Sequence, residues 1–174
     1  MSVMPSLLRK NPVFIFLLAN VILSLFSFSF IPLFLKEQGY SLWQLVFLSF
    51  LFTSFASLLM IIVRSFRIRA FLFIGFVLQG VAALLFVFYS SVSFYLYALI
   101  LGLIIVFFWI PLNYLFFQQA QRATNATHSS LYYLVPGVIS LLLPPHGAWV
   151  IRSWGYHWLF GMAAALCLLP LYWV

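Results

Sequence analysis

Residues 62–71 read Ile62-Val63-Arg64-Ser65-Phe66-Arg67-Ile68-Arg69-Ala70-Phe71 and hold three of the chain's eight lysines and arginines. Apolar sequence runs away from them on both sides. One arginine at the centre of a bilayer-spanning helix costs roughly 2.5–3.5 kcal/mol, so three within six residues mark a turn in water. The flanks are then the ends of two membrane helices. Basic loops stay on the cytoplasmic side of a membrane, which orients both.

The composition agrees. Of 174 residues, 67% are hydrophobic and 5% charged, and the mean hydropathy is +1.21. No water-soluble surface can be built from this. The formal charge of +7 comes from eight bases against one acid, Glu37. The bases stand in short segments between apolar runs, so they report topology rather than a nucleic-acid partner. Cys167 stands alone in an apolar run and is expected on an inert helix surface, with no disulfide and no metal-ligand spacing around it. No metal or cofactor is expected.

About twenty apolar residues cross the hydrocarbon at 1.5 Å per residue. On that ruler residues 1–11 form a cytoplasmic N-terminus, and 12–174 form one transmembrane domain with spans over 12–35, 42–63, 70–89, 94–117, 131–151 and 157–174. The first run exceeds a signal-peptide core and lacks a small-x-small cleavage site, so it is expected to stay in the mature protein. Lipid offers backbone no hydrogen bonds, and the runs lack alternation, so all six are expected to be helices. With the N-terminus inside, Arg9, Lys10, Arg64, Arg67, Arg69 and Arg122 are cytoplasmic, and Lys36 and Arg152 external. Six bases against two obeys the positive-inside rule. Tyr40, Trp43, Trp154, Tyr156 and Trp158 fall at external turns, and Tyr172 and Trp173 lie a membrane thickness further on, as interfacial belts require. The longest loop is expected over 118–130; the glycosylation pattern Asn125-Ala126-Thr127 inside it has no use on the cytoplasmic side.

With no charge inside any span, uncharged polar residues are the candidates for chemistry. Asn20, Ser24 and Ser27 share one face of the first helix at i, i+4, i+7 and can line a watery path. Trp109, Asn113 and Phe117 form a stripe on the fourth, an amide between aromatic surfaces. The alternative for the serines is bonding back to their own helix, and for the asparagines pairing as packing glue. Gln44, Thr53, Ser54, Ser57 and Gln79 read as interhelical contacts or end-of-helix groups. His146 is the one intramembrane group able to titrate near neutral pH and is the candidate proton relay. His128 and His157 are expected to be solvated. Enzyme signatures are missing: no Gly-x-Ser-x-Gly, no His-Glu-x-x-His and no phosphate-cradling glycine loop.

Pro32, Pro111, Pro136, Pro144 and Pro145 fall within the first, fourth and fifth helices and should bend them. Ile31-Pro32-Leu33 recurs as Ile110-Pro111-Leu112 on the first and fourth spans, which run in opposite directions. An inverted repeat of three helices plus three would leave such a trace.

Taken together these residues resemble the N-terminal half of a major facilitator superfamily transporter. The run Pro32-Leu33-Phe34-Leu35-Lys36-Glu37-Gln38-Gly39-Tyr40-Ser41-Leu42 resembles the external turn after that family's first helix. The basic turn resembles its G-x-x-x-D-R-x-G-R-[RK] signature, with Arg64 and Arg67 at arginine positions. Leu59, Val63, Phe66 and Ile68 depart from it, and Val63 removes the acid of the family's gating relay. Leu143-Pro144-Pro145-His146-Gly147-Ala148 is similar to its fifth-helix G-P-x-x-G-G, and Gly155-Tyr156-His157-Trp158-Leu159-Phe160 to the opening of its sixth helix.

The resemblance implies an all-α polytopic fold of six transmembrane helices, a 3+3 inverted repeat, and a permease in the cell membrane. The first and fourth helices would line the cavity, with Asn20 and Asn113 touching a small solute. A complete transporter also needs a second six-helix half, whether in a separate chain, a second copy or a missing continuation. The alternative is a membrane-embedded assembly subunit without transport. Six crossings put both termini on the cytoplasmic face, so protease outside sealed right-side-out vesicles should spare a tag at either end. Loss of one tag alone would refute the even count.

Overall fold

The computed structural model describes residues 12–26, 28–63, 67–120 and 125–173. Arg64 and Ser27 lie outside the described residues, as do the side chains of Ser24, Pro136, Tyr172 and Trp173 and the bases Arg9, Lys10 and Arg122, expected on the cytoplasmic side. The first run is divided into α1 (Pro12–Phe26), a 3-10 turn (Phe28–Phe30) and α2 (Ile31–Glu37). Then follow α3 (Leu42–Ile62), α4 (Ile68–Val87) and α5 (Ser91–Ile104). A π turn (Ile105–Trp109) joins α5 to α6 (Ile110–Ala120), and α7 (Asn125–Trp154), α8 (Tyr156–Leu166) and a 3-10 turn (Leu169–Trp173) complete the order. No strand occurs among the described residues.

Four helical stretches are long and apolar enough to cross a membrane: Phe16–Glu37, Leu42–Ile62, Ile68–Val87 and Ser91–Gln118. They point to an integral membrane protein. The fifth expected run falls inside α7, and the sixth belongs to the shorter apolar stretch Tyr156–Leu171.

The second and third runs end where the basic turn requires, at Ile62 and Ile68. Two departures correct the expectation. The loop expected over 118–130 is helix up to Ala120 and again from Asn125. Its glutamines and alanines are good helix formers, and it holds neither glycine nor proline to stop them. The sixth run is α-helical only to Leu166, because the ring of Pro170 would meet that residue's carbonyl and supplies no donor for it.

Prolines shape the first and fourth spans differently. Pro32 withholds a donor from Phe28, and the chain tightens there into the 3-10 turn that precedes α2. Pro111 would meet the carbonyl of Phe107, and there the helix widens instead, with the Ile110 N–H reaching the Ile105 carbonyl. In the fifth run Pro144 and Pro145 lie within one continuous helix.

Helix termini are capped by the residues beside them. Ser41 N–H donates to Gln44 Oε1 at 2.7 Å and Gln44 N–H donates back to Ser41 Oγ at 3.4 Å, a capping box at the start of α3. Ser93 Oγ accepts from Ser90 N–H at 2.9 Å at the start of α5. Gly39 and Gly155 take φ of +90° and +84° in the turns after α2 and before α8, conformations that glycine enters without a Cβ penalty.

The most extensive pairings are α4 with α8, α3 with α5 and α1 with α7; α4 also packs on α5 and the π turn. Close approach depends on small residues, as expected where lipid removes any hydrophobic drive between helices. A Cβ on Gly75 would lie 2.7 Å from Phe108 Cβ and 3.0 Å from its Cα. One on Gly102 would lie 3.0 Å from the Phe52 carbonyl, and one on Gly147 would strike Phe30 and the Phe26 carbonyl. Cys167 is buried against Gly80, not on the helix surface expected of it.

Gly75→Val should therefore lower the stability of the detergent-solubilised protein by about 1–3 kcal/mol through overpacking at the π turn. Gly161→Ala, at a helical position with open space around it, should raise it by about 0.4–1 kcal/mol. Thermal unfolding followed by circular dichroism checks both, and equal effects would refute the close-approach account.

Candidate functional site

One end of the bundle is closed by aromatic rings. Phe34 lies edge-on to Phe86, Tyr89, Tyr156 and Phe160, with centroids 5.1–5.7 Å away. Tyr40 stacks on Phe94 at 4.6 Å. These rings come from α2, the turn after it, the end of α4, the start of α5 and the start of α8, so one knot ties five segments together. Such edge-to-face pairs contribute beyond their buried area.

Polar bonds rim the knot. Tyr156 O–H donates to Glu37 at 2.9 Å, which engages the chain's single acid. His157 Nδ1–H donates to the Val87 carbonyl at 2.9 Å. That carbonyl is among the last of α4, where the helix supplies no donor. His157, expected to be solvated only, thus serves as a side-chain cap across two helices.

The expected site residues divide between core and surface. Asn20 is 3% exposed. Phe16, one turn before it, lies 5.9 Å from Phe76 of α4. Trp109 is half-buried at the end of the π turn and lies edge-on to Phe108. Asn113 and Phe117 are exposed, while Pro111 and Leu112 turn inward. The two asparagines therefore occupy different layers. Among the serines of this set, Ser24 lies on α1 and its side chain lies outside the described residues, as does Ser27.

His146 is exposed, and its Nδ1–H donates to the Leu142 carbonyl at 2.7 Å on its own helix. Glu37, the one carboxylate, is held by Tyr156. Arg67 is exposed directly before α4. Among the described residues no cluster of histidine, cysteine and acids is disposed to hold a metal.

Side chains outside the expected set complete the picture. Gln118 Nε2–H donates to Tyr114 O–H at 2.8 Å, and both are exposed beside Asn113. The i, i+4 spacing after Asn113 was the available signal. On α3, Thr53 O–H donates to the Ser49 carbonyl at 2.9 Å and Ser57 O–H to that of Thr53 at 2.8 Å. Those hydroxyls bond their own helix and are not interhelical contacts. Gln79 is 1% exposed, and neither its Oε1 nor its Nε2 has a hydrogen-bond partner among the described residues. It lies mid-helix and so is not an end-of-helix group, and its buried amide makes no interhelical hydrogen bond among the described residues.

No protein-family model, curated protein or solved structure matches the chain. The fourth span carries half-buried Trp109 at the end of the π turn and exposed Asn113, Tyr114 and Gln118 beyond it, with Asn20 and Gln79 deeper inside.

An orphaned buried amide costs about 1–3 kcal/mol. Gln79→Leu should accordingly raise the unfolding temperature of the purified protein. A fall instead would mean that the amide has a partner in solution.

Proposed function

We propose that the chain is one six-helix half of a facilitator-type secondary transporter of the major facilitator superfamily. It moves a small solute across the cell membrane by alternating access, with both termini cytoplasmic. The observation that carries this reading is the pair of proline breaks. Ile31-Pro32-Leu33 and Ile110-Pro111-Leu112 each open a helix directly after a turn that is not α-helical, the first 3-10 and the second π.

A 3+3 inverted repeat would relate those two breaks, because it exchanges the first helix with the fourth, the second with the fifth and the third with the sixth. The same operation exchanges the pairing of α1 on α7 with that of α3 on α5. It maps the pairing of α4 on α8 onto itself. These are the three most extensive pairings in the bundle. The contact of α4 with α5 has only a thin counterpart between α1 and α8, and that of α7 with α8 has no comparable counterpart between α3 and α4, so such a repeat would have diverged at both.

In this reading Asn113 and Trp109 form the solute-facing wall of the fourth helix, and Asn20, Ser24 and Ser27 that of the first. Arg64 and Arg67 stand in the gating loop, where Val63 leaves no acid to latch them. His146 faces no carboxylate, so any proton coupling lies in the second half. With no charge inside its apolar runs, this half favours a neutral solute. It performs no enzymatic step.

A second reading, an assembly subunit without transport, draws on α3, whose buried residues are Leu48 and Ala56 alone. Much of that helix is free to meet another chain. A cysteine at Asn113 should crosslink in native membranes to a second six-helix half, and Asn113→Leu should cut uptake into vesicles about tenfold with unchanged thermal stability. Each 1.4 kcal/mol of lost solute contact is a factor of ten. Crosslinking with unaltered uptake would favour the subunit, and gated flux through the chain alone would refute the half-transporter.

A further inference from the structure

The end of the bundle opposite the aromatic knot is built differently. There a pocket of about 100 Å³ is lined by Met60, Val63, Phe71, Val106 and Ile110. Every lining residue is apolar, and the volume is well below the ~300 Å³ at which small-molecule sites begin. It suits the end of a hydrocarbon chain rather than a solute. The π turn forms one wall through Val106, and Ile110 directly follows it.

Charge stands beside it. Arg67 immediately precedes α4, Arg69 is its second residue, and both are exposed within the turn that carries Phe71. No carboxylate can neutralise them. Glu37, the chain's one acid, is bonded to Tyr156 beside the knot that holds Phe86 and Tyr89, at the other end of α4. At 1.5 Å per residue that is about 30 Å away. An apolar slot with two exposed arginines on the helical turn that carries its lining residue Phe71 matches one molecule of the surrounding solvent: a phospholipid whose tail is apolar and whose head is an anion.

We propose that this pocket holds the acyl chain of an anionic phospholipid while Arg67 and Arg69 bind its phosphate. The lipid bridges α3, α4 and the π turn, and pins the one stretch where the fourth helix departs from α geometry. The site rests on immersion in a bilayer and is independent of any transported solute.

The test uses the full chain in nanodiscs of equimolar phosphatidylcholine and phosphatidylglycerol, with retained lipids identified by native mass spectrometry after release. The wild type should keep a phosphatidylglycerol molecule severalfold in excess over phosphatidylcholine. Arg67→Gln with Arg69→Gln should bring the two lipids near parity. Val63→Trp, which fills the slot, should remove the retained molecule with both arginines intact; Met60→Trp serves should that variant fail to fold. Equal retention of the two lipids by the wild type would overturn the proposal. So would undiminished phosphatidylglycerol in the filled-slot variants, which would mean surface attraction only. Displacement of the lipid by excess inorganic phosphate would also overturn it, since a bare anion would then suffice.

Discussion

A proline in a membrane helix leaves a carbonyl without a donor, and in hydrocarbon nothing external replaces it. The fourth span is built around that constraint. Pro111 forces the π turn at Ile105–Trp109, and a π turn is wider than the α-helix it interrupts. Room exists because α4 presents Gly75 there, where a Cβ would meet Phe108 at 2.7 Å. The turn, in turn, swings Trp109 and Asn113 toward the surface while Leu112 stays fully buried. One missing N–H thus sets the packing of two helices and the facing of the candidate site.

Much of this was legible because composition speaks directly to the bilayer. The basic turn located the ends of α3 and α4 within a few residues, since charge cannot hide in lipid. What polarity alone misjudged was residues 118–120 and 125–130, where helix propensity prevailed over the loop suggested by their hydrophilic character. Pro170 carries a stop signal, which its many apolar neighbours obscure in the sequence. Cys167 is buried against Gly80, 87 positions upstream and its neighbour only once α4 and α8 are folded together.

The site was legible to a smaller degree. Spacing identifies stripes on one helix, and the expected stripe runs from half-buried Trp109 at the end of the π turn to exposed Asn113 and Phe117. It does not reveal which stripe faces the core, so nothing local separates buried Asn20 from exposed Asn113. Contacts between distant segments were beyond reach for the same reason. Tyr156 finds Glu37, and His157 finds Val87, through a fold that brings α8 beside the ends of α2 and α4.

The two ends of the bundle differ in physical character. At one, interlocked rings, a phenol on the single carboxylate and a histidine on a helix terminus join segments from across the sequence, an arrangement in which few side chains can move alone. At the other, arginines without acids stand beside an apolar slot and a helix turn with strained periodicity. In the transport reading proposed above, alternating access would pivot on the knotted end and exchange contacts at the other. In that same proposed reading Val63 stands where the family places the acid of its latch, and the proposed lipid phosphate would supply the anion that this end of the chain lacks.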